Sequence, residues 1–126
     1  MYLNCHTYYS LRYGTFSEVD LLRLARENGV TRLALTDINN TSAGLNFVRR
    51  APEFQVRPLL GIDFRNGIAP CFVGIARDNE GYFELNRFLS HHLHEKVPLP
   101  NRAPAFSHAY VIYPFEKVLL EEMADF

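Results

Sequence analysis

Cysteine is scarce in this chain: Cys5 and Cys71 are the only two, each inside an apolar run. That usage excludes a disulfide-stapled scaffold and any Cys-x-x-Cys motif, and it reads as two reduced core thiols of a cytoplasmic protein in preference to a pairing of the two. Long apolar runs are missing as well. Nothing approaches the roughly 20 residues of a membrane helix, and no basic start leads into an apolar signal core. Neither sign of charge dominates, since 13 Lys and Arg face 14 Asp and Glu for a formal net charge of −1. A global field for phosphate backbones is thereby excluded, so any contact with nucleic acid has to be local or made by another part of a longer protein. No glycine-rich phosphate loop and no nucleophile elbow occur.

The residues that are present suit one compact α/β unit, because 126 residues with 48% hydrophobic content can bury a single core. Met1 to His6 reads as a strand with Tyr2, Asn4 and His6 on one face and Leu3 and Cys5 on the other. Ser17 and Asp20 resemble a capping box, and Leu21, Leu22, Leu24 and Ala25 supply the apolar face of a helix over about Glu18 to Asn28, ended by Gly29. Arg32 to Asp37 reads as a buried strand ending on a carboxylate. Ser42 is placed to cap a second helix carrying Leu45, Phe47 and Val48 and closed by Pro52.

A third strand is expected from Val56 to Phe64, and Asn66-Gly67 signals a hairpin with a type I′ turn into a strand over about Cys71 to Ala76, antiparallel to the third. Pro70 suits the start of that strand better than its centre. Asn79 to His94 reads as an amphipathic helix with Tyr82, Phe83, Leu85, Phe88, Leu89 and Leu93 as its apolar positions. VPLPNRAP is a loop, succeeded by a last strand over about His108 to Tyr113 and a helix over about Phe115 to Ala124. Alternation of strands and helices implies a mostly parallel sheet, open or barrel-like, with functional residues at the carboxyl ends of strands.

His6, Asp37 and Asp63 all fall at such ends. Three nitrogen and oxygen donors converging at one rim would begin a divalent metal site. The plainer alternative for each is that it caps the adjoining loop or helix. His91 and His94 are spaced to share a helix face, but together with His92 they lie at a helix tail, where imidazoles meet the terminal carbonyls. Glu121, Glu122 and Asp125 read as a solvated face.

In this order and spacing, LNCHTYYSLRYG, LALTDINNTSAGLNF and RPLLGIDFRNG resemble the first three motifs of the PHP (polymerase and histidinol phosphatase) domain family. The stretch GIARDNEGYFELNRFLS is similar to the segment beyond those motifs in the C-family DNA polymerases, the bacterial DNA polymerase III alpha subunits. The likeness covers about Met1 to Ser90 and thins toward the carboxyl end. It implies a distorted (β/α) barrel roughly twice this length, with a metal cluster at the carboxyl ends of its strands. On that basis the 126 residues are expected to be an amino-terminal PHP fragment of a longer polymerase chain.

The resemblance also implies a damaged metal site. Where the family pattern has a histidine before His6, this chain has Asn4. Tyr13 stands for an aspartate and Ile38 for the histidine after Thr36-Asp37. Asp63 replaces a glutamate, and Cys71 occupies the place of a histidine at the start of the next strand. The resulting expectation is a catalytically degenerate domain that supports the polymerase, with no cofactor of its own, Mg2+ belonging to the parent enzyme. The alternative is an active metal-dependent phosphoesterase, a proofreading 3′–5′ exonuclease or a histidinol-phosphatase-like enzyme, holding Zn2+ or Mn2+ on His6, Asp63 and Cys71. Partners expected are the remaining polymerase domains, DNA through the parent, and replication subunits, with no membrane. Open strand edges of a half-built barrel are also expected to make the fragment self-associate, through Ala109 to Phe126.

Overall fold

The computed structural model describes residues 2–10, 14 and 16–114. Within them the order is β1 (Tyr2–Cys5), α1 (Glu18–Glu27), β2 (Arg32–Ile38), α2 (Gly44–Arg50), β3 (Arg57–Asn66), β4 (Ala69–Ala76), α3 (Asn79–Glu95) and β5 (Ala109–Ile112). The five strands form one open sheet in the order β1-β2-β3-β4-β5. β1, β2 and β3 are parallel neighbours, while β4 runs against both β3 and β5. Only β4 therefore opposes the common strand direction, and the chain is the mixed α/β, mostly parallel sheet that its sequence implies.

Local chemistry starts and stops most of these elements. The Ser17 hydroxyl accepts from the Asp20 N–H at 3.1 Å and the Asp20 carboxylate accepts from the Ser17 N–H at 3.3 Å, a complete capping box for α1. Asp78 caps α3 by accepting from the Gly81 N–H at 2.9 Å. Buried side chains of all three helices gather on one face of the sheet. Leu22 and Ala25 of α1 and Phe47 of α2 meet Leu33 and Leu35 of β2, whereas Leu85 and Leu89 of α3 meet Ile62, Phe64 and Phe72. Residues of the alternate phase, among them Thr36, Ile38, Asp63, Ile75 and Ile112, belong to the other face.

Several local expectations are corrected. α2 begins after Ala43 rather than Ser42 and has no side-chain cap, because Asn40 Oδ1 engages the Ser42 N–H at 3.2 Å in a turn of its own. Of its apolar residues only Phe47 is buried, while Leu45 is 82% exposed. Pro52 does not end the helical path; it enters a 3-10 turn over Ala51–Phe54, which Gln55 closes in the left-handed conformation. The hairpin loop is Gly67-Ile68, since Asn66 pairs with Ala69. Gly67 alone has positive φ, at 60°, which is the type II′ signature instead of I′. On α3, Phe83 and Leu93 point outward and are exposed. The last strand is confined to Ala109–Ile112, and the helix expected over 115–124 lies outside the described residues.

One electrostatic clamp ties the start of α3 to the start of β5. His108 Nδ1 lies 3.0 Å from Asp78 Oδ2 and Nε2 lies 2.9 Å from Glu80 Oε2. The Ser107 and His108 N–H groups donate to the Glu84 carboxylate at 2.8 and 2.7 Å. The hydrogen bond to Asp78, with the charges of Asp78, Glu80 and Glu84, raises the His108 pKa above its ordinary value against a smaller desolvation effect. Asp78 is held below its ordinary value, first by the Gly81 N–H and then by His108. A raised histidine contributes stability that is complete below about pH 6.5 and is lost as pH rises through the folded-state value. The lowered Asp78 contributes above the ordinary carboxylate range and is lost as pH falls through its depressed value. The melting-temperature difference between the wild type and His108→Gln is therefore expected to be largest at about pH 5 to 6.5 and to shrink at higher pH. Melting curves from about pH 5 to about pH 9 check this, and a difference independent of pH would contradict it.

Candidate functional site

β1 leaves the sheet directly at His6, and β3 carries Asp63 level with Ile38, the last residue of β2. His6 Nε2 approaches Asp63 Oδ2 at 3.0 Å. Asn4, on the same face, accepts from the Thr36 hydroxyl at 2.7 Å. Two residues beyond Asp63, and so on its side of the strand, Arg65 folds back upon it. Arg65 Nη2 donates to Asp63 Oδ2 at 3.0 Å and Nε donates to Oδ1 at 3.2 Å. The Asp63 side chain is only 3% exposed and that of Arg65 16%. This is a forked guanidinium–carboxylate pair in a largely desolvated position.

Asn39 fixes the backbone of that arginine. With φ at 50°, in the left-handed region that asparagine tolerates, its side-chain amide donates to Arg65 O at 2.7 Å and accepts from the Arg65 N–H at 3.0 Å. The amide thus imitates one more residue of β2 and extends the ladder past the strand's end.

Asp37 is one residue out of phase with Ile38 and lies on the opposite face from Asp63. Its Oδ1 accepts from the Thr7 N–H at 2.6 Å and the Ser10 hydroxyl at 2.7 Å, and its Oδ2 from the Thr7 hydroxyl at 2.7 Å. Ser10 Oγ in turn accepts from the Ile38 N–H at 2.8 Å. The buried carboxylate thereby fastens the loop after β1 to the end of β2. Gly14 completes this loop, because a Cβ there would collide with the Thr7 carbonyl. Asp37 orients His6 through its neighbour Thr7 instead of joining it.

Cys71 does not join it either. β3 residues Phe64 and Arg65 pair with Phe72 and Pro70, leaving Cys71 as the extra residue of a bulge. It is buried in the helical-side cluster with Phe64 and Leu99, where Asn66 Nδ2 lies 3.5 Å from its sulfur. Tyr13 lies outside the described residues. His92 bonds to the Phe88 carbonyl at 2.9 Å, as a histidine of a helix tail does.

The residues that sequence reasoning passed over are Arg65 and Asn39. Arg65 had a signal, its two-residue spacing from Asp63; Asn39 had only its position just after a strand.

A divalent cation here would need at least three well-placed ligands and an accessible carboxylate. Ile38 offers no donor, and both oxygens of Asp63 face a guanidinium that already brings positive charge. Among the described residues no three His, Cys, Asp or Glu side chains form a metal-ligand group. Among the described residues of this rim, His6 and Asp63 do not by themselves make up the ligand set of such a cluster.

The PHP domain model matches residues 3–123. This chain belongs to the PHP domain family. Curated relatives of this PHP domain include the DNA polymerase III subunit alpha of Ureaplasma parvum, 33% identical over 88 residues that make up 70% of this chain and 9% of the relative. The error-prone DNA polymerase of Symbiobacterium thermophilum is 31% identical over 90 residues, 71% of this chain and 8% of that protein. The domain thus spans less than a tenth of the curated relatives it matches. Its fold is shared with a Bifidobacterium adolescentis protein assigned as a metal-dependent phosphoesterase, with a TM-score of 0.56 and 19% identity over 71% of this chain and 32% of the other.

Replacing Arg65 by Met leaves the Asp63 charge buried beside His6 alone, and urea unfolding is expected to show a loss of about 3 kcal/mol. Asp37→Ala strands three donors of the loop and is expected to cost about 3 kcal/mol as well. Arg23→Ala, which removes an exposed pair with Asp20, should stay within about 0.5 kcal/mol. Losses as small for Arg65 and Asp37 as for Arg23 would show that neither network holds the rim together.

Proposed function

We propose that this chain is the amino-terminal part of the PHP domain of a bacterial DNA polymerase of the DNA polymerase III alpha type, and that the domain supports the polymerase without hydrolytic activity of its own. The carrying observation is the Arg65 guanidinium on both oxygens of Asp63. An internal cation there neutralises the carboxylate permanently, as a metal would, but offers no open coordination position and no activated water. Support also comes from relatives that are DNA polymerases many times longer than this chain.

On this reading nucleotidyl transfer and its Mg2+ belong to other domains of the parent, which are the domain's first partners together with DNA and further replication subunits. Residence in the cytoplasm accords with that role; no described helix is long and apolar enough to cross a membrane. Self-association of the isolated chain is part of the same proposal. β1 and β5 each have one paired neighbour among the described strands, and β5 exposes Tyr110 and Ile112, so two copies joining at such an edge would satisfy backbone groups that are otherwise left to water. Light scattering at micromolar concentration is expected to give a dimer mass, and a clean monomer would remove this part.

Incubation with Mn2+ or Zn2+ and a labelled single-stranded oligonucleotide tests the main reading. No release of 3′ nucleotides is expected, and elemental analysis after mild chelation should give well below one metal per chain. Hydrolysis that disappears in His6→Ala, with about one bound metal or more, would establish the active phosphoesterase in its place, drawing on His6, Asp63 and further ligands.

A further inference from the structure

The buried Asp37 carboxylate accepts two hydrogen bonds on Oδ1 and one on Oδ2, all from neutral donors. A carboxylate offers about four acceptor positions, so one on Oδ2 is left over. Among the described residues no ion pair involves Asp37. Asp37 also lines a narrow cavity with Thr41, Gly44, Leu60, Gly61 and Tyr82, so that β2, β3, α2 and α3 all contribute to its wall. Its volume of about 10 Å³ is the size that holds one water. Tyr82 occupies an apolar position of α3, yet it brings a hydroxyl to this wall. Its backbone groups bond to Asp78 O and Asn86 Nδ2 at 3.1 and 2.9 Å, whereas the hydroxyl has no protein partner among the described residues. A Cβ on Gly44 would lie 2.5 Å from that oxygen, so the glycine is what gives the hydroxyl its place. Thr41 Oγ1 donates to Asn86 Oδ1 at 2.9 Å and keeps its lone pairs.

We infer that this cavity binds one ordered water, which donates to Asp37 Oδ2 and Thr41 Oγ1 and accepts from the Tyr82 hydroxyl, and that Tyr82 is thereby a positioning residue for the loop after β1. One donor and two acceptors on the wall are the complement of a single water, and three bonds are the usual number for a buried one. The water supplies the fourth donor to a buried carboxylate that otherwise has only three. Asp37 holds Thr7, and Thr7 adjoins His6, so α3 acquires a part in where the imidazole stands. A bare monovalent cation suits the cavity less well. It requires a shell of oxygens, and the rest of the wall is made by Leu35, Leu60 and two glycines.

A high-resolution crystal structure grown with rubidium chloride as the only monovalent salt tests the site directly. One peak of water density is expected about 2.8 Å from Asp37 Oδ2, Thr41 Oγ1 and Tyr82 Oη, without anomalous signal. In solution, Tyr82→Phe should shift the folding equilibrium toward the unfolded state about fivefold. Combined with Asp37→Asn it should lose less than the product of the two single losses, because both changes remove the same bridge. Tyr82→Phe should also move the His6 imidazole resonances, while Tyr110→Phe, which removes an exposed hydroxyl, leaves them in place. The crystal structure decides the matter even where a variant fails to fold. A dry cavity, an anomalous peak from rubidium, independent effects of the two substitutions, or His6 resonances unmoved by Tyr82→Phe would each overturn the assignment.

Discussion

Buried carboxylates must be satisfied, and the upper rim of this sheet is organised around two of them. Asp37 and Asp63 belong to adjacent strands at nearly the same height but face opposite sides, so each needed its own donors. Asp37 draws them from Thr7 and Ser10, which fixes where the chain leaves β1. With Thr7 anchored, the preceding imidazole is held over the other face within reach of Asp63. A solvated Asp37 would leave that loop without its principal attachment, and the His6 contact would have no reason to persist.

Asp63 had fewer options, since its neighbour in register is Ile38. The family solution for an acidic group at this height is a metal shared with other ligands. Here the charge is met by Arg65 from the same strand, and Asn39 makes that solution rigid by engaging both backbone groups of Arg65. A guanidinium brings one positive charge where a divalent metal brings two, and it has no coordination position for a water. The first saturates the carboxylate oxygens, while the second leaves room for water and lowers its pKa. The rim of this PHP domain is thus held by a guanidinium on its buried carboxylate.

Where the fold needs a positive charge, one arginine lies folded against a carboxylate with its backbone pinned. Surface arginines ordinarily disperse into solvent or pair along helices, as Arg23 and Arg50 do here.

By itself the sequence determined the type and approximate extent of the described elements, because period-two and helical patterns, the Ser17–Asp20 box and the Gly67 turn are encoded within a few residues of one another. It also placed His6, Asp37 and Asp63 at the carboxyl ends of strands, but with the expectation that all three converge, whereas the register puts Asp37 on the face opposite Asp63. The features that only the tertiary structure decided lie where phase breaks or where partners are remote. Bulges in β1 and β4 reset the alternation, and the second turns Cys71 toward Leu99 and away from His6. The first cap of α2 was lost to a turn at Asn40, a competition between two local hydrogen bonds that no pattern ranks. Whether Asp63 meets a guanidinium could not be read from residue types either, since spacing placed Arg65 on the right face but only the folded chain, with the Arg65 backbone held by Asn39 just past β2, brought its charge onto the carboxylate.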